Sequence, residues 1–217
     1  MSIQKEEALL FEALRQQVPA AVCDGVIDEK SFLSARYRIV YVLKEVNGGE
    51  NWDLRDFVYR GGRAQTWDNV ARWTQAILSW ETDFSWEEMQ QNREERRKRE
   101  LKKIAAVNLK KTSGGYTSDG REIYEAARLN SELLKKQLNI YHADFIILCG
   151  TESAFMASCY QDRKITWKMT KRGIWYFIDN GTVVISFSHP EARVKDNYLF
   201  YALLDAVREI KSGQELR

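Results

Sequence analysis

The stretch YRIVYVL, residues 37–43, decides the fold. Apart from one arginine it is unbroken in apolar, β-branched and aromatic residues, so it reads as a strand covered on both faces. Such strands belong to parallel sheets packed between layers of helices. Two further runs look the same: IAAVNL (104–109) and ADFIILCG (143–150). Between and around them the periodicity is helical. Residues 3–17 repeat through Leu9, Leu10, Leu14 and Val18, and further helices are expected at about 53–60 and 66–80. A continuous amphipathic helix is expected over 120–140, a short one over TESAFMASCY, and a last one over 190–211. The segments IWYFI (174–178) and TVVISFS (182–188) flank Asp179-Asn180-Gly181, the signature of a hairpin turn. Strands alternating with helices predict a three-layer α/β/α fold with a central, mostly parallel sheet of about four strands. One domain over residues 1–217 is expected, with residues 1–36 a helical segment packed on its core.

Composition narrows the function classes. A chain of 217 residues, 44% hydrophobic and 29% charged, is long enough to bury a full core. Its net charge of +2 gives no argument for nucleic-acid binding from the total, which would need a local patch. Seven Trp and ten Tyr can serve a core, an interface or a base-stacking surface. Cys23, Cys149 and Cys159 are odd in number and scattered, against a disulfide framework or a four-cysteine metal site. No run approaches the ~18 apolar residues of a membrane span. The charged N-terminal helix lacks a signal core, so a cytoplasmic location is expected. No metal, cofactor or obligatory protein partner is indicated.

Ligands of open parallel sheets sit beyond the carboxyl ends of the strands. After the first strand come Lys44, Glu45, Asn47, Gly48 and Gly49. Asn108, Lys110, Lys111 and the loop TSGG follow the second, Gly150-Thr151 the third, and His189-Pro190 the last. Each has a bland reading. Glu45 can be a strand-end ion-pair partner, and Asn47 a turn residue. His189 can stand before a helix with Pro190 at its first position. His142 reads as a structural residue at a helix end. The run REERRKRELKK (93–103) reads as a solvated face with i,i+4 pairs. Gly61-Gly62 precedes a helix whose N-terminus could hold an anion. Trp67 and Trp73 are six apart, so they do not share one helical face.

Together, VLKEVNGG, AVNLKK, IILCGTESA and SFSHPEAR, in this order within roughly residues 37 to 210, resemble the motifs of the uracil-DNA glycosylase superfamily. That resemblance implies DNA as partner and a reaction needing no metal or cofactor. It places Glu45 as the carboxylate that positions water and stabilises the cationic sugar. It makes Asn108 the reader of a flipped pyrimidine's edge, and His189 the group that receives the departing base's anion. Asn47, Trp52 and Trp67 join the substrate-binding set, with Phe57 a further stacking candidate. The loop from Pro190 to Arg193 would press into the minor groove, with Arg193 near the wedge position. Lys110, Lys111, Arg193 and Lys195 would contact the DNA backbone, and Lys171-Arg172 is a further phosphate candidate.

The chemistry makes matching demands. Breaking an N-glycosidic bond passes through an oxocarbenium-like sugar, which an anion stabilises. The leaving pyrimidine needs a preorganised donor, and the base must first leave the stack. Many uracil-specific relatives follow the catalytic residue with Pro and then Tyr or Gly. Here the run is Val46-Asn47-Gly48-Gly49, and no counterpart of the tyrosine that excludes 5-substituents is evident. The expected substrate is therefore a modified pyrimidine in DNA, such as a hypermodified phage cytosine, which implies a role in defence. Uracil excision in repair and a non-catalytic DNA-binding relative are the alternatives. An unrelated α/β hydrolase lacks support, since no GxSxG, P-loop or GxGxxG is present.

Overall fold

The computed structural model describes residues 1–48, 52–115 and 117–215. Gly49, part of the glycine-rich turn read above, lies outside them. The chain runs α1 (Ile3–Gln17), β1 (Gly25–Val26), α2 (Glu29–Ser34), β2 (Ile39–Leu43), α3 (Leu54–Tyr59) and α4 (Ala64–Leu78). Then follow α5 (Trp86–Gln90), α6 (Arg93–Glu100), β3 (Ile104–Asn108), α7 (Gly120–Leu129), α8 (Ser131–Tyr141), β4 (Phe145–Cys149) and α9 (Glu152–Cys159). It ends with β5 (Lys168–Met169), β6 (Trp175–Asp179), β7 (Thr182–Phe187) and α10 (Asp196–Glu215).

The sheet is larger than the sequence suggested, and it is mixed. Its order is β1-β3-β2-β4-β7-β6-β5, seven strands among the described residues. The central block β3-β2-β4-β7 is parallel, while β1, β6 and β5 add antiparallel edges. The expectation of about four, mostly parallel strands matches only that block. β6 and β7 form the expected hairpin, with Asn180 (φ 49°) and Gly181 (φ 89°) both in the left-handed region. Two such residues in succession match the twist that a two-residue hairpin needs.

Every residue of β2 is buried, and alternate residues serve opposite faces. Ile39, Tyr41 and Leu43 pack with Trp73 and Ile77 of α4 and Leu203 of α10. Val40 and Val42 pack with Ile123 of α7, Leu134 of α8 and Phe155 of α9. Burying one such side chain is worth about 1.5–3 kcal/mol, so β2 is pinned from both sides. Two helical expectations need correction. The 120–140 helix breaks at Asn130, whose side-chain N–H donates to the Leu109 carbonyl at 3.4 Å. The last helix starts only at Asp196, which leaves residues 190–195 as a loop. The charged run is only partly a solvated face. Lys98 pairs with Glu94 at i,i+4, but Arg96 is buried and donates to the carbonyls of Met89 and Glu88.

A buried polar network ties α1 to the sheet. Glu7 of α1 accepts from the Val26 N–H (2.8 Å), the Tyr141 hydroxyl (2.7 Å) and Arg55 (2.7 Å). Gln137 bridges Tyr141 to Asp24. Asp24 also receives both the Asn108 N–H (2.8 Å) and Lys111 Nζ (2.8 and 2.9 Å). The third Lys111 donor goes to Gln137 Oε1 at 2.7 Å. Lys111 is 3% exposed, so its expected place on the DNA-binding surface is overturned: it is a core residue. Burial pulls its pKa below the ordinary lysine range, and Asp24 opposes that shift. Lys111→Ala would leave Asp24 buried without its cation. Urea unfolding should show a loss of about 3–5 kcal/mol. A loss near that of an exposed lysine would contradict this placement.

Candidate active site

The register of the parallel block brings the functional residues together. Leu43 at the end of β2 is paired with Asn108 at the end of β3, and Glu45 follows two residues later. On the other side Cys149 is paired with Phe187, and His189 follows two residues beyond that. A cleft of about 400 Å³ opens at these strand ends, near the lower end of the ~300–1,000 Å³ usual for ligand sites. Glu45, Asn47, Trp52, Trp67, Asn108 and His189 all line it. All six residues that the sequence pointed to for catalysis and substrate binding are thus in one place.

Glu45 is held tightly. Its side chain is 5% exposed, and Lys110 Nζ stands 2.8 Å from Oε2. The loop after β3 closes over the carboxylate. Gly114 donates its N–H to the Val46 carbonyl at 2.8 Å and bridges to Asn47. A Cβ on Gly114 would lie 2.0 Å from Glu45 Cδ, so no side chain fits there. Lys110 was expected at a phosphate. It instead sits between Glu45 and Glu122 (3.0 Å), and these carboxylates raise its pKa.

Asn108 is 2% exposed. Its backbone N–H is fixed by Asp24, while no hydrogen bond joins its side-chain amide to another described residue. A buried amide of this kind, lining the cleft, offers one acceptor and two donors to a ligand edge. His189 Nδ1 accepts the Glu191 N–H at 3.1 Å. A neutral imidazole whose Nδ1 accepts must carry its proton on Nε2. Burial, and then the Lys44 ammonium, hold His189 below the ordinary histidine range, against the pull of Glu191. It is therefore a neutral donor at pH 7.

Aromatic groups form another wall. Trp52 meets Phe57 edge to face at 5.7 Å, making a right-angled corner. Trp67 is 4% exposed and also lines the cleft. Trp73 belongs to the core, where it stacks on Tyr41 and meets Phe187 edge on. Arg63, Thr66 and Glu191 line the cleft without having been singled out as site residues. Arg63 and Thr66 both donate to Glu191 Oε1. Burial would raise the Glu191 carboxyl, but these two donors outweigh it and hold it below the usual range. The sequence signal was present in part, since Glu191 lies in SFSHPEAR and Arg63 follows Gly61-Gly62.

Arg193 and Lys195 lie exposed on the loop between β7 and α10. Lys171 and Arg172 are elsewhere: the Lys171 backbone N–H donates to Glu209, and Arg172 pairs with Asp205, both of α10. His142 ends α8 in the left-handed conformation, the structural place expected of it. No helix among the described residues is long and apolar enough to cross a membrane. No protein-family model matches the chain, and no curated protein does.

Proposed function

We propose that the chain is a monofunctional DNA glycosylase that flips a modified pyrimidine out of DNA and hydrolyses its N-glycosidic bond. The observation that carries the reading is the convergence of Glu45, Asn108 and His189 on one cleft at the ends of β2, β3 and β7. A fixed carboxylate suits an oxocarbenium-like sugar and its attacking water. The buried Asn108 amide suits a base edge, and the Nε2–H of His189 suits the oxygen of a leaving base. The Trp52–Phe57 corner gives the base an aromatic surface. Among the described residues that line the cleft none is a tyrosine, which supports a 5-substituted pyrimidine such as a hypermodified phage cytosine over uracil.

A second reading, a relative that binds DNA without turnover, draws on the ion pair of Glu45 with Lys110 and the Gly114 roof. One assay separates them. Duplexes carrying uracil or 5-substituted cytosines are incubated with the protein and then heated in alkali. Strand scission at the substituted cytosine is expected. Scission at uracil alone would remove the modified-base part, and scission nowhere would favour the non-catalytic relative.

A further inference from the structure

We infer that Asn69, a buried residue of α4, is the positioning residue that sets the orientation and tautomer of His189. A single peptide unit, Pro190–Glu191, links the two side chains. Its N–H donates to His189 Nδ1 at 3.1 Å. Its carbonyl accepts the Asn69 Nδ2–H at 2.9 Å. Asn69 therefore grips one side of the peptide plane whose other side faces the imidazole. A carbonyl that accepts a hydrogen bond polarises the N–H of the same amide, which strengthens the bond to Nδ1.

Asn69 is itself fixed. It is 2% exposed, and its Oδ1 accepts from Arg72 Nη1 at 2.9 Å. Arginine can only donate, so the amide oxygen must face Arg72 and the NH₂ must face Pro190. The second Nδ2 hydrogen goes to Asp196 Oδ1 at 3.0 Å. Arg72, 1% exposed, is held by the Met89 carbonyl (3.0 Å) and Asp196 Oδ2 (3.1 Å), with its guanidinium over the Trp86 ring. Asn69 thus fastens both ends of the loop from Pro190 to Asp196. That loop carries Glu191, Arg193 and Lys195, so the same grip fixes the backbone from which these exposed cations project. The importance of this grip for catalysis rests on the glycosylase reading, but the grip itself does not.

The chain has two histidines, so imidazole ¹⁵N spectra of the free protein resolve His189 from His142. At a pH where the ring is neutral, the wild type should show a protonated Nε2 and a hydrogen-bonded Nδ1. In Asn69→Ala the Nδ1 signal should move to that of a free acceptor, with some Nδ1–H form appearing. Exchange of the Glu191 amide should quicken by about tenfold, the loss of one ordinary hydrogen bond. If that variant fails to fold, Asn69→Asp keeps the acceptor for Arg72 while losing both N–H donors, and the same spectra apply. Unchanged His189 signals and Glu191 exchange would overturn the inference. Spectra that change while single-turnover base release stays at the wild-type rate would overturn its place in the reaction. If the wild type releases no base at all, the glycosylase reading fails, and the spectra still decide the role of Asn69.

Discussion

Glu45→Gln should slow base release by on the order of 10²- to 10³-fold, the usual cost of removing one preorganised electrostatic group. Affinity for DNA should hardly change. The substitution keeps the size of the side chain under Gly114, where nothing larger than hydrogen fits, so the loop after β3 keeps its place. What is lost is the negative charge. Lys110 then remains paired with Glu122 alone. An anion fixed by Lys110 and shielded from water contributes most when positive charge develops on the sugar, and little to ground-state binding. Single-turnover release and equilibrium binding to an uncleaved duplex separate the two quantities. Equal losses in both would show that Glu45 serves the fold or the DNA surface rather than the reaction.

Much of this site was legible because of where it lies in the topology. β2, β3 and β4 bury both faces, so they read as unbroken apolar runs, and the polar residues that follow them had to meet at one edge. The β6–β7 hairpin was legible through Asn180-Gly181. β1 and β5 were not, because two residues carry no periodicity, and Lys168 and Met169 are exposed at the sheet's edge. These short elements are part of what makes the sheet mixed. The break at Asn130 also escaped, since apolar residues keep helical spacing on both sides of it. Lys110 and Lys111 look alike in sequence, yet one lies beside Glu45 and the other is in the core. The difference is Asp24, 87 residues away, whose burial no local pattern shows. Asn69 is hidden for the same reason: its partner Pro190 is 121 residues distant.

His189→Ala should slow the bond-breaking step by on the order of 10²-fold or more. The reason lies in the tautomer. Nδ1 is occupied by the Glu191 N–H, so the only proton of the neutral ring is on Nε2. A neutral donor suits a leaving pyrimidine, on whose exocyclic carbonyl oxygen negative charge develops as the bond breaks. Bonds of this kind act on turnover more than on ground-state affinity. Burial and Lys44 keep the ring neutral at pH 7, so proton uptake by the ring is not required for the donor to act. Removing the imidazole also leaves the Glu191 N–H without its acceptor, which loosens the loop carrying Arg193 and Lys195. His189→Gln, which restores a side-chain donor, should recover part of the rate if donation is the role. Single-turnover rates for both variants decide it: Ala at the wild-type rate would remove His189 from the mechanism, and Gln no better than Ala would assign the loss to the loop.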